Sequence, residues 1–578
     1  MKLRKYMEGE KGEIYLLSCF FILSFIVTYF YFYKGYFKVG FDDIVHFQVF
    51  ESIANAFENH RLPPLVNFIG FSANGESFNG MYPWVTSLIF VIPRLLINNV
   101  ILALYFSMSI LLFITLFNCC LLLKNFTNKK SVLFFGSVIY SFNQYNLINI
   151  YNRGALGEAL GFAFLPLVFL GIIKIWQKEY RVGSLFLALG MSLVINSHIL
   201  TTVICCLYLI IFELFRLLLR KLDFKEIKSI IVAAFITIVA SAYTLSNIIK
   251  LSLKNDLTTP WRNILTLDWN QFVAGSTKAT LAFQIYNYNF GMFILIIMIV
   301  MVVMLFRSCK NTSWKKWIII SCITFVLTFS WVPYKYIGLT KSPLGTIQFA
   351  SRMLNFVILF LVIGVTIFID KNYRNNYKKG LIIYSLLMLL FAVFTEINYV
   401  NNKKASYNLT NENINKYVYG SNYAESDYSL KDKHNHNWSV IYKSEVFPLK
   451  DNLHEYYNGV QFNVYSSQRK PSYIRFLTYN GIKYEVYVNN KKIMPNYSLG
   501  LLRVPLNKGI NTLNIISKAQ LSEYIFFVIS IISTIMIILT LIMKKEIFDK
   551  KSALRIRVPI SKRSFHLIGT LILYCKCF

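Results

Sequence analysis

Acidic residues are scarce in this chain of 578 residues: 28 Asp and Glu stand against 60 Lys and Arg, and charged residues of both signs make up only 15%. With 55% hydrophobic and 17% aromatic residues, so little charge excludes both a soluble globular protein and a disordered one. Cysteine is missing where it would do chemistry. Six of the nine (Cys19, Cys119, Cys120, Cys205, Cys206 and Cys322) fall in apolar runs, none has metal-ligand spacing, and the polar segment 398–518 has none. Zinc and redox chemistry are thereby set aside. No small-residue cleavage site follows the first apolar run, 14–33. That run has spanning length, so it reads as an anchored helix and not as a removed signal.

What is present is a succession of such runs. Further candidate spans lie at 100–123, 131–149, 159–176, 184–197, 199–217, 229–249, 285–306, 317–334, 353–369, 381–396 and 524–543, about twelve in all at the ~20 residues a bilayer needs. The cations cluster between them, as at Lys124/Lys129/Lys130, Lys174/Lys178/Arg181, Arg220/Lys221/Lys225/Lys228 and Lys371/Arg374/Lys378/Lys379. With the N-terminus inside, every such loop falls in the cytoplasm, as does the tail from Lys544, which is the positive-inside pattern. The expectation is a multi-pass cell-membrane protein with both termini cytoplasmic, its partners membrane lipids and not nucleic acid. Segment 84–97 is apolar but short and holds Pro93 and Arg94; it is expected to be interfacial or half-inserted.

Three outer regions are then long: 34–99, 250–284 and 398–523. The last alternates in short runs at 460–466, 473–479, 484–488, 501–505 and 512–516, broken at Asn480-Gly481, Asn489-Asn490 and Lys508-Gly509. That pattern predicts a small extracytoplasmic β-sandwich. The expected division is 1–396 as the membrane region, with 34–99 its first outer loop, 397–523 as the β-rich domain, 524–543 as the last span and 544–578 as a basic tail. The tail would lie at the anionic inner leaflet or serve as a solvated stop-transfer flank.

Chemistry is sought on the outer side. Asp42 and Asp43 precede a predicted helix, 44–60, that carries His46, Glu51, Glu58 and His60 on one face. Such carboxylates serve as a general base toward a hydroxyl, as ligands of a divalent cation, or simply as helix caps. The turn Tyr151-Asn152-Arg153-Gly154-Ala155-Leu156-Gly157-Glu158 puts two charges near hydrocarbon, where they either form a site or pair with each other. Arginine suits a phosphate because its guanidinium makes two parallel hydrogen bonds. His198, in Asn196-Ser197-His198, could bind phosphate or move a proton. Arg352, in Gln348-Phe349-Ala350-Ser351-Arg352, is a second phosphate partner or a snorkelling arginine. Aromatic residues at Tyr82, Trp84, Trp261, Trp269, Tyr286 and Tyr288 suit an interface belt or a stacked sugar. His434, His436, Trp438 and His454 match no metal-ligand spacing.

Taken in order, Gly40-Phe41-Asp42-Asp43 with His46, Tyr82-Pro83, Arg153 to Glu158 followed by Leu165-Pro166-Leu167, Ser197-His198, and Gln348 to Arg352 resemble bacterial membrane proteins called 6-pyruvoyl-tetrahydropterin-synthase-related. These are similar to the YfhO-like proteins of the GT-C glycosyltransferase type. The resemblance covers about 34–372 and, more loosely, the β-rich segment. It implies a GT-C-like polytopic enzyme that moves a sugar from a polyprenyl-phosphate donor to a cell-envelope glycan acceptor outside the membrane. Asp42 or Asp43 would be the catalytic base or, if a cation such as Mg or Mn takes part, its ligand. His46, Arg153, Glu158, His198 and Arg352 would bind substrate and phosphate. The synthase activity in the family label is not implied, for the chain has no soluble pterin-enzyme pattern and no zinc triad. A transporter or flippase, or a non-catalytic assembly protein for lipid-linked glycans, is the alternative.

Overall fold

The computed structural model describes residues 2–258, 262–278, 281, 288–308, 312–339, 341–402, 407–419, 427–432, 439–494 and 500–554. The protein is 63% helical. Among the described residues seven helices are long and apolar enough to cross a membrane: Gly12–Phe32, Val100–Leu123, Leu156–Trp176, Ile199–Leu218, Ala350–Lys371, Tyr377–Asn401 and Leu521–Met543. An eighth results if Phe224–Ala240 and Ala242–Lys254, bent by 75°, are taken as one. The other four expected runs form shorter helices, Lys130–Ser141, Tyr180–Ile195, Met292–Arg307 and Ser313–Val326, of 12, 16, 16 and 14 residues. Segment 84–97 gives the short apolar helix Val85–Leu96, whose Arg94 is folded back onto Glu51 through two hydrogen bonds of 3.1 and 3.0 Å.

Helix Leu156–Trp176 is the axis of the bundle, its apolar window buried throughout. It forms a hairpin with Tyr180–Ile195, and the two backbones touch. A Cβ at Gly171 would lie 2.2 Å from the Leu187 nitrogen, and one at Gly190 would lie 2.5 Å from that of Val168. Small residues permit this approach where dispersion, not water exclusion, drives packing. By contrast only 11% of the Leu521–Met543 window is buried. Its outward Ile529, Ile532, Ile535 and Leu539 are exposed, a face that suits lipid and not water.

At one end of the bundle the polar segments fold together. Phe37–Lys38 pairs antiparallel with Asn408–Leu409, and the Lys38 ammonium donates to the carbonyls of Tyr399 and Asn402. A five-stranded antiparallel sheet runs in the spatial order Leu449–Tyr456, Gly459–Ser466, Gly509–Ser517, Tyr484–Val488, Lys491–Ile493. A separate ribbon pairs Lys470–Leu477 with Leu501–Leu506. All five strands expected from alternation are present. Two more, Leu449–Tyr456 and Lys491–Ile493, lack a clear alternation and were not foreseen. Sheet and ribbon share a core in which Val460, Phe462, Phe476, Leu501, Leu513 and Ile515 are buried, and Val66 and Phe68 of the 34–99 segment enter the same core. The first long loop and the β-rich region are thus packed as one body.

Candidate functional site

Apolar helices end in polar residues because their terminal N–H and C=O groups need partners, and here several ends meet. A cavity of about 460 Å³ is lined by Asp42, His46, Tyr82, Arg153, Glu158, His198, Phe349 and Arg352, with Asp427 and Tyr428 from the far side. Six of the seven residues singled out from sequence therefore share one chamber. Asp43 does not line it.

Glu158, in the first turn of Leu156–Trp176, is the hub of this chamber. Its Oε2 accepts from Arg153 Nη1 at 2.9 Å and from Arg352 Nε at 3.1 Å. Its Oε1 accepts from the Tyr145 hydroxyl at 2.6 Å and the Asn355 amide at 3.1 Å. The Arg153–Glu158 pair thus exists, but it also orients a second arginine. Arg352 is buried and so does not snorkel. Phe349 lies between the guanidiniums, 5.2 Å from Arg153 and 5.1 Å from Arg352, and Tyr288 covers Arg153 at 5.8 Å. Cation–π contacts hold the two cations beside one another where bare repulsion would part them. Asp42 and Asp427 also line the chamber, so a phosphate would be held by the paired guanidinium donors and not by an excess of positive charge.

The adjacent acids have separate surroundings. Asp42 precedes helix Asp43–Glu58 but its side chain caps no helical N–H. Its Oδ2 lies 3.5 Å from Arg153 Nε, and 43% of the side chain is exposed. Asp43 is wholly buried. Its Oδ2 accepts from Gly40 N–H at 2.5 Å, while Oδ1 is enclosed with no hydrogen-bond partner among the described residues. Burial pushes the Asp43 carboxyl well above the usual carboxylate range; the Gly40 N–H opposes this and the neighbouring Asp42 adds to it. Adjacent residues on a helix point about 100° apart, so the pair does not converge. No group of three or more His, Cys, Asp or Glu side chains that could hold a metal ion exists among the described residues. Asp42 and Asp43 therefore do not act together as a cation-binding pair.

Gly154 makes the close fit around Asp43 possible. It has φ +68°, and a Cβ there would lie 2.3 Å from Asp43 Oδ1. Gly154→Ala is expected to lower stability by about 1–3 kcal/mol through backbone strain alone, read as a fall in the unfolding midpoint in detergent. An unchanged midpoint would contradict the packing described.

Both histidines are neutral. Burial, then Arg153, pushes His46 down to about 3; burial, then Arg352, does the same to His198. His198 Nδ1 lies 2.8 Å from the Thr201 hydroxyl and 3.3 Å from the Thr201 N–H; with Nδ1 accepting from both, the single proton is assigned to Nε2. His46 packs edge-on against Tyr82 with 5.6 Å between ring centroids. The unfolded chain, with histidine near 6.5, takes up protons that the native state refuses. Stability is therefore present above about pH 6.5 and lost as pH falls toward 3, by up to about 1.4 kcal/mol per pH unit for each histidine. A His46→Asn/His198→Asn variant is expected to lose less stability than the parent between pH 7 and 5 in denaturant titrations. Equal losses would show that these rings do not resist protonation.

Of the remaining expectations, Trp261, Tyr286, His434, His436, Trp438 and the tail beyond 554 lie outside the described residues. His454 is exposed on a strand, and Trp269 packs against Phe329 and Trp331, 5.4 and 5.9 Å away. Asp427, Tyr428, Tyr145 and Asn355 were not foreseen. No local pattern marks them, since only the tertiary fold brings them to the chamber.

No family model matches the chain. A protein from Lactococcus lactis subsp. cremoris (strain MG1363), named only as uncharacterized, is 26% identical over 349 residues, or 57% of this chain and 56% of that protein. The chain thus matches little more than half the length of this relative, whose name carries no function.

Proposed function

We propose that this protein is a membrane glycosyltransferase of the GT-C type that moves a sugar from a polyprenyl-phosphate donor to a cell-envelope acceptor outside the membrane. One observation carries the reading: a single cavity at the helix ends brings together a solvent-reachable carboxylate, two arginines and two neutral histidines. In this reading the bundle has about twelve spans, the shorter helices crossing together with their flanks. Both termini are cytoplasmic and the chamber opens outward. The β-rich region is a small sandwich that orients the acceptor.

Asp42 takes the proton of the acceptor hydroxyl as that oxygen bonds to the anomeric carbon. The bond from this carbon to the phosphate oxygen breaks, and the lipid phosphate leaves with the electron pair. Arg153 and Arg352, both buried, neutralise the growing phosphate charge where low polarity strengthens such contacts. The His198 Nε2–H adds a neutral donor, and His46 lines the acceptor side.

A second reading, transport of a lipid-linked glycan, has one observation in its favour. Glu396 is fully buried within the span Tyr377–Asn401, and neither carboxylate oxygen has a hydrogen-bond partner among the described residues. Ionisable groups inside a span mark transport pathways. Protein in nanodiscs, given radiolabelled undecaprenyl-phosphate sugars and cell-envelope acceptors, separates the two. Label moved to acceptor supports transfer. Label bound but never transferred, by protein whose donor site is occupied, supports transport or assembly.

A further inference from the structure

A second cleft lies at the other end of the β-rich region. Strand Lys470–Leu477 starts there and finishes near the helices, three residues before Asn480, whose N–H donates to Asn255 Oδ1 at the end of helix Ala242–Lys254 at 2.7 Å. Its seven-residue rise puts Lys470 about 23 Å further out, at roughly 3.3 Å per residue. Three turns meet at this outer end: 467–469, 489–490 and 507–508. Between them is a cavity of about 660 Å³ lined by Arg469, Lys470, Lys491, Asn489 and Asn507 around an apolar floor that includes Pro471, Val488 and Pro505.

Its chemistry is one-sided. Among the described residues no acidic and no aromatic side chain lines it, Arg469, Lys470 and Lys491 are all exposed, and Lys508 stands in the adjoining turn. Residues 439–518 as a whole carry eleven Lys and Arg against four Asp and Glu. The turns are also fixed in advance. The buried Asn511 side chain accepts from Asn489 Nδ2 at 3.0 Å and from the Asn507 N–H at 2.9 Å, and donates to the Asn507 and Gly509 carbonyls. A rim held this way loses little entropy on binding.

We propose that this cleft binds a polyanionic chain that has no aromatic bases. The phosphate or carboxylate groups of the chain lie on Arg469, Lys470 and Lys491, and its carbon skeleton rests on the proline and valine floor. Nucleic acid is disfavoured because single strands bind by stacking on aromatic side chains, and the cleft offers none. The bilayer is disfavoured because the cleft is at the end remote from the helices. The inference does not rest on the transferase reading.

The test uses the full chain in phosphatidylcholine nanodiscs with fluorescent polyphosphate, polygalacturonate or a mixed-sequence oligodeoxynucleotide as probe. Arg469→Glu/Lys470→Glu/Lys491→Glu is expected to weaken polyphosphate or polygalacturonate binding by about ten-fold or more and to flatten its salt dependence. The neutral variant Lys470→Gln/Lys491→Gln is expected to fall between. The better polymer identifies the preferred anion. A control on exposed cations at a helix connection, Arg220→Glu/Lys225→Glu/Lys228→Glu, should bind like the parent. Undiminished binding by the cleft variant, an equal loss in the control, or oligonucleotide binding tighter than both polymers would overturn the proposal.

Discussion

Asp42→Asn is expected to reduce sugar transfer by about 10²- to 10⁴-fold, the usual contribution of a general base, while folded protein and donor binding persist. Asparagine keeps the shape and the contact to Arg153 but cannot accept the hydroxyl proton. Asp43→Asn is expected to retain transfer, because Asp43 is sealed beneath Gly40 and Gly154 and reaches no substrate. Initial rates of label transfer in nanodiscs would decide between them. Full activity in Asp42→Asn, or loss in Asp43→Asn alone, would remove the assignment.

That difference between neighbours marks the limit of what a linear pattern reveals. The candidate site was legible because each member stands beside an apolar run, where a charge must have a reason, and Asp42, His46, Arg153, Glu158, His198 and Arg352 do share a chamber. Which of two successive acids faces it depends on the turn at Gly154, and no local pattern encodes that. Run length alone did not set helix length: 381–396 became the long helix Tyr377–Asn401, whereas 131–149 gave the short helix Lys130–Ser141. The short helices, such as Ser313–Val326, were set by tertiary packing and by breaks such as the one after Ser141. The β strands were legible from alternation where one face is buried, and missed at Lys491–Ile493, an edge strand exposed on most of its surface.

The second large effect concerns Glu158. Glu158→Gln leaves Arg153 and Arg352 buried without their shared counter-charge, and breaking a buried pair from one side destabilises by about 3–5 kcal/mol. A marked fall in the unfolding midpoint is expected, together with weaker donor binding because the guanidiniums are no longer aligned. Glu158→Gln/Arg352→Met is expected to recover part of the stability and none of the transfer. If Glu158→Gln unfolds like the parent, the hub assignment fails. If it is stable yet inactive, Glu158 acts on substrate directly and not by orienting the arginines.

The short ladder between Phe37–Lys38 and Asn408–Leu409 bears on how the protein is made. Lys38 is tied to the carbonyl of Tyr399, 361 residues further along the chain. At roughly 5–20 residues per second, a ribosome takes on the order of tens of seconds to supply that partner after the first loop has emerged. During the whole interval the segment bearing Asp42 lacks this anchor and is held only by earlier partners, such as the Arg153 carbonyl that accepts the Asp42 N–H. The ladder thereby ties the final placement of this segment to synthesis as far as Leu409.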